Sequence, residues 1–180
     1  MAILRPMLKT IDQFNDFLGR KISLLILIIF GLMVIEVVRR YLFNAPSLWG
    51  NESVQMLFGA YAMLSGGYVL LVKGHVSVDI IYGLLPRRAQ AAIDVVTSTL
   101  LFLFCGVLLY FGSALAWDSL VRLEHSTSAW DPPLYPVKMM IPLGALLILL
   151  QGISNLYRDI KVLMNDKSSE QYETSEKESQ

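Results

Sequence analysis

Cysteine is almost missing from this chain: Cys105 is the single one in 180 residues, and histidine is limited to two, His75 and His125. A lone cysteine forms no intramolecular disulfide, and without a CxxC pair neither a zinc site nor an iron–sulfur site has its ligands. Cys105 lies in an apolar run, LLFLFCGVLLYF, where a small soft side chain serves helix packing. A surplus of charge is missing too. Lys and Arg number 15 and Asp and Glu 15, which leaves no electrostatic basis for a nucleic-acid partner. The first apolar run lacks a small-residue cleavage site, so it reads as a helix that stays in the membrane rather than a signal peptide. No internal repeat is visible, which argues against an inverted-repeat transporter complete in one chain. Strand-length alternation is absent, so backbone placed in hydrocarbon must satisfy itself as helix.

What the chain does have is apolar length. Hydrophobic residues make up 54% of it and the mean hydropathy is +0.52. Charges gather at the ends and in three connectors. Between them lie four runs of roughly 20 apolar residues, each long enough to cross a bilayer core. The spans are expected at about 22–43, 54–72, 91–117 and 135–157, the third long enough to tilt or protrude. The fold class is therefore an all-α integral membrane protein with four transmembrane helices.

Basic residues orient it. Arg5, Lys9, Arg20 and Lys21 precede the first span, Lys73, Arg87 and Arg88 sit in the second connector, and Arg158, Lys161, Lys167 and Lys177 follow the fourth span. The other side holds Arg39, Arg40, Arg122 and Lys138. This asymmetry puts both termini in the cytoplasm. Over residues 1–21, Leu8, Ile11, Phe14 and Leu18 share a helical face, and Thr10 with Gln13 has capping-box spacing. A short amphipathic helix lying on the cytoplasmic surface is expected, the alternative being a water-exposed extension of the first span. Residues 161–180 lack the apolar residues to fold and read as a disordered polar tail.

Charges beside hydrocarbon are candidate functional groups, and each has a structural alternative. Glu36 has Arg39 and Arg40 at i+3 and i+4, so a local ion pair with snorkelling accounts for all three. Glu52 falls in the first turn of the second helix, with Asn51 as its cap and Trp49 as an interfacial anchor. Asp94 opens the third helix in the same way. Gln151 and Asn155, one turn apart, suit hydrogen bonds to a neighbouring helix, or a substrate. Gly59, Ala62 and Gly66 make a small-residue face open to close helix approach. The two histidines fall in connectors on opposite sides, so they cannot share a haem. Ser126 and Ser128 neighbour His125 in a solvated loop that carries no nucleophile motif, while Pro132 and Pro133 stiffen its exit.

The connector KGHVSVDIIYGLLPRR can be read without chemistry. Lys73 complements a helix C-terminus, Gly74 ends the helix, Asp79 caps an apolar turn that Pro86 stops, and Arg87 and Arg88 face the cytoplasm. Its motifs, however, resemble a known family. Trp49 and Glu52 before the second span, and Lys73, Gly74, His75, Val76, Val78 and Asp79 after it, are similar to the small permease, or Q subunit, of tripartite ATP-independent periplasmic (TRAP) transporters. The stretch WDPPLYPVKMMIPLGALLILLQGI, Trp130–Ile153, resembles the entry and fourth helix of that family, and the likeness covers about 22–160. Two positions depart from it: Asn51 replaces the first of an acidic pair common in the family, and Lys73 stands where Arg is frequent.

The resemblance implies a scaffold for a large membrane subunit, paired about one-to-one, in sodium-coupled uptake of an organic acid delivered by a periplasmic binding protein. No catalytic, metal or cofactor residue is assigned. The candidate contacts with partner or phospholipid are Glu36, Arg39, Arg40, Trp49, Glu52, Lys73, His75, Asp79, Arg87 and Arg88. Competing readings are an autonomous homo-oligomeric small transporter and a haem-free anchor subunit of another complex.

Overall fold

The computed structural model describes residues 4–72 and 87–178, with side chains over 8–72 and 89–161 except residue 91. It is all-helical: α1 (Leu4–Ser23), α2 (Leu25–Leu42), α3 (Gly50–Leu71), α4 (Arg87–Val121) and α5 (Tyr135–Glu178). Among the described residues the only β-type pairing is an isolated bridge between His125 and Pro133. Four helical stretches are long and apolar enough to cross a membrane: Leu8–Leu42, Gly50–Leu71, Ala92–Val121 and Tyr135–Lys161. That is the number the sequence predicts.

The first stretch combines α1 and α2. Its 35 residues extend about 50 Å at 1.5 Å per residue, far more than a hydrocarbon core of about 30 Å. The helix breaks once, at Leu24, which keeps right-handed helical angles (φ −68, ψ −22). Bonds there tighten to i→i−3, from Leu24 N–H to the Lys21 carbonyl (3.3 Å) and from Leu27 N–H to that of Leu24 (3.2 Å). Asn44, at φ 47, takes the chain out of α2. Ala45 then returns its N–H to the Arg39 carbonyl at 3.1 Å.

The helices stand in a row rather than a closed bundle. α5 lies between α4 and α3, and α3 lies between α5 and α2, while α1 packs against both α3 and α5. Small residues allow the two central helices to touch. A Cβ on Gly144 of α5 would collide with the backbone carbonyl of Met63 in α3, the close approach that glycine permits. On α3, a Cβ at Gly66 would come within 2.7 Å of Ile148, and one at Gly59 within 3.7 Å of Val137. Gly59 and Gly66 of the small-residue face thus meet α5 of the same chain, while Ala62 is exposed.

Several expected helix starts move. Thr10 lies inside α1 (Leu4–Ser23) rather than at its start. α4 begins at Arg87, two turns before Asp94. α3 begins at Gly50, before Asn51, and its first N–H is received by the Ser47 hydroxyl at 3.0 Å. The backbone of α5 runs to Glu178, through the segment whose composition suggests a disordered tail. Lys73, His75 and Asp79, together with the apolar turn ended by Pro86, lie outside the described residues.

Candidate functional site

Polar side chains gather at both ends of the row. At the end carrying α1 and the exit of α5, the bundle-facing positions of α1 are Leu8, Asn15, Gly19 and Ile22, all buried, with Asp12 half-buried beside them. Two of these five are polar and turn inward. Asn15 Nδ2 donates to Gln151 Oε1 at 2.9 Å. Gln151 Nε2 donates to Asp12 Oδ1 at 3.0 Å and to Asn155 Oδ1 at 3.3 Å. The Ser154 hydroxyl donates to Asp12 Oδ1 at 3.0 Å, and the Arg158 guanidinium pairs with Asp12 Oδ2. Asn155 Nδ2 closes the network on the Leu70 carbonyl at the end of α3, at 3.2 Å. Gln151 and Ser154 are 0% exposed and Asn15 2%, so the seam lies in the interior. Away from water such groups persist because each donor has an acceptor.

Gln151 and Asn155 therefore do what amides in a span ordinarily do, which is to bond a neighbouring helix. The sequence reading missed Asp12, Asn15, Ser154 and Arg158. A signal was present: Asp12 and Asn15 at i, i+3, facing Gln151, Ser154, Asn155 and Arg158 at i, i+3, i+4, i+7, make a polar stripe on each helix.

At the opposite end, Glu36 pairs with Arg40 at 3.2 Å, as the i, i+4 spacing suggests. Arg39 does not join it; its Nε donates to the Ala45 carbonyl at 3.4 Å. The Ser47 hydroxyl donates to Glu36 Oε2, which links the α2–α3 turn to α2 while also capping Gly50. Glu52, in the first turn of α3, accepts from the Ser128 hydroxyl at 2.5 Å. That bond ties α3 to the loop between α4 and α5. Ser128 Oγ in turn receives the N–H groups of Trp130 and Asp131, each at 3.3 Å. Lys138 Nζ donates to Glu124 at 2.5 Å, and this ammonium is the main reason the Glu124 carboxyl is held below the ordinary range. His125 Nδ1 sits 3.0 Å from the Asp131 carbonyl, within the same loop.

Of the ten candidate residues, then, Glu36, Arg39, Arg40, Trp49 and Glu52 collect at this second end. Trp49, 37% exposed, stands just before α3. Arg87 and Arg88 open α4 at the other end, where only their backbone is described.

Comparison with known proteins decides the family. Residues 29–162 match the tripartite ATP-independent periplasmic transporters, DctQ component. The chain belongs to that family. As a DctQ component it is a TRAP-type small permease subunit, and four apolar helices make it a multi-pass membrane protein. It is 22% identical over 134 residues to the sialic acid TRAP transporter small permease protein SiaQ of Vibrio cholerae serotype O1, covering 72% of this chain and 73% of that protein. It is 25% identical over 105 residues to the sialic acid TRAP transporter permease protein SiaT of Haemophilus influenzae. That match covers 58% of this chain but only 17% of SiaT.

Proposed function

We propose that this DctQ component is the scaffolding small subunit of a secondary transporter, paired with one large membrane subunit, for sodium-coupled uptake of an organic acid delivered by a periplasmic binding protein. One observation carries the reading. A stretch of 134 residues of this chain matches most of a small permease, and one of 105 residues matches a minor part of a much longer permease. A stretch found both alone and within a larger permease belongs beside a large membrane component. The row of helices supports a scaffold role, because it offers two long edges for lateral contact and the polar seam among its described residues is engaged in bonds within the chain. Sialic acid, named in both relatives, is itself a carboxylic acid, in line with the substrate class proposed.

In this reading the protein sits in the cytoplasmic (inner) membrane with both termini in the cytoplasm. α1 then lies at the cytoplasmic interface with three faces: Leu8, Asp12, Asn15 and Ile22 to the bundle, Phe14 and Phe17 to acyl chains, and Gln13 and Arg20 to water. Lys73, His75, Asp79, Arg87 and Arg88 form a cytoplasmic contact surface for the large subunit or phospholipid. Glu36, Arg39, Arg40, Trp49 and Glu52 form a periplasmic one, and Arg39, Arg40, Arg87 and Arg88 are the phosphate ligands. The subunit has no chemical step of its own.

The test is co-purification. Tagged at its C-terminus and extracted in mild detergent from native membranes, the chain brings down one large polytopic protein in comparable amount. A chain that purifies alone as a stable homo-oligomer, and catalyses uptake in liposomes, would replace this reading with that of an autonomous transporter.

A further inference from the structure

We propose that the α1–α5 seam is a register lock, which fixes the direction in which α1 leaves the bundle, and that Asp12 is its positioning residue. The inference rests on the fold of this chain alone and not on the transport reading.

The joint at Leu24 cannot set that direction by itself. It contains neither proline nor a left-handed residue, and its backbone stays in the right-handed helical region on tightened i→i−3 bonds. The apolar contacts of α1 are weakly directional. Leu8 and Ile22 are buried and tolerate sliding, since dispersion and hydrophobic contact depend on area rather than on angle. The Asp12 carboxylate is different. It gathers donors from three successive turns of α5, Gln151, Ser154 and Arg158, spaced i, i+3, i+7. One height of α1 along α5 satisfies all three, and a shift by one turn (about 5.4 Å) abandons at least one.

Asn15 adds a second, stricter condition. Its Nδ2 is committed to Gln151, and its Oδ1 is buried with no hydrogen-bond partner among the described residues. That oxygen is aimed at Gly67 of α3, where a Cβ would stand only 2.5 Å away. The amide is therefore pinned between α5 and a glycine of α3, at the cost of one unsatisfied acceptor. A seam built for stability alone would be apolar. Buried polar groups that specify one register are the best-attested use of such a costly arrangement.

The experiment places nitroxide-labelled cysteines at the exposed positions Gln13 and Lys161, in a Cys105→Ala background, and measures their distance by pulsed electron resonance with the full chain in lipid nanodiscs. The lock predicts one narrow distance distribution in the parent. Asp12→Ala and Gln151→Leu should each widen it about twofold or more, Asp12→Asn, which keeps an acceptor oxygen, should widen it less, and Leu8→Ala should leave it narrow. Ser154→Ala, which removes one donor without adding bulk, should widen it measurably and serves where the stronger variants fail to fold. A parent distribution that is already broad overturns the proposal. So does an unchanged narrow distance in Asp12→Ala or, where that variant does not fold, in Ser154→Ala, or equal widening by Leu8→Ala.

Discussion

Two glycines of this chain respond oppositely to the same substitution. Gly144 touches the Met63 backbone, and a methyl group there has no flexible side chain to displace. Gly144→Ala should therefore cost about 1–3 kcal/mol, the usual penalty of overpacking. A Cβ on Gly31 would meet nothing within 4 Å among the described residues, and Gly31→Ala should be neutral or gain up to about 1 kcal/mol from helix propensity. Thermal unfolding in one detergent, followed by tryptophan fluorescence, checks both; equal shifts would mean that α3 and α5 are not in backbone contact. Glu124 gives a pH-dependent counterpart. Its carboxyl is depressed, chiefly by the Lys138 ammonium. Because the folded value lies below the unfolded one, the pair's contribution is present above the ordinary glutamate range and is lost as pH falls through the folded value. Hydrogen exchange at Leu134, whose N–H bonds the Glu124 carbonyl at 2.9 Å, should accelerate on acidification in the native chain. In Glu124→Gln, exchange corrected for intrinsic chemistry should lose that acid-dependent step.

At the scale of elements, one hydroxyl ties the turn between α2 and α3 to both helices. Ser47 donates to Glu36 and accepts from Gly50, so Ser47→Ala leaves a poorly exposed carboxylate short of a donor and a helix N–H without its acceptor. A loss of about 1–3 kcal/mol is expected, whereas Ser47→Thr should keep most of the stability; the same thermal assay separates them. This turn also shows where sequence reading stops. Four helices were legible because apolar runs of bilayer length have few alternative explanations. The Glu36–Arg40 pair was legible because i, i+4 spacing is local. Helix starts were less so, since Ser47 caps Gly50 from three residues upstream and displaces Asn51 from that role. The seam was half-legible. Gln151 and Asn155 announce a need for partners, but which face of α1 meets them is decided by contacts 136 and 139 residues away, from Asn15 and Asp12 to Gln151. A helical wheel assigns Asp12 and Asn15 to water because it contains no third surface. In the fold, α1 has one, and its polar positions point to the bundle.

At the scale of the molecule, a row of helices has two edges, and only packing against something else distinguishes them. One edge is the outer side of α2, where Gly31 stands open; the other is the outer side of α4, where Gly106 stands open with exposed Leu103 and Tyr110. Lipid tolerates a bulky side chain on either edge, while a partner helix in close contact does not. Gly31→Trp and Gly106→Trp should therefore both give folded, monodisperse subunit, since a Cβ at either meets nothing within 4 Å among the described residues. If the scaffold reading is right and one edge carries the large subunit, one of the two variants loses its co-purifying partner and the other retains it. Retention by both would move the contact off the edges to the flat faces of the row, where α3 and α5 are half covered. The variant that loses the partner should also lose uptake in cells, because a scaffold acts only through what it holds.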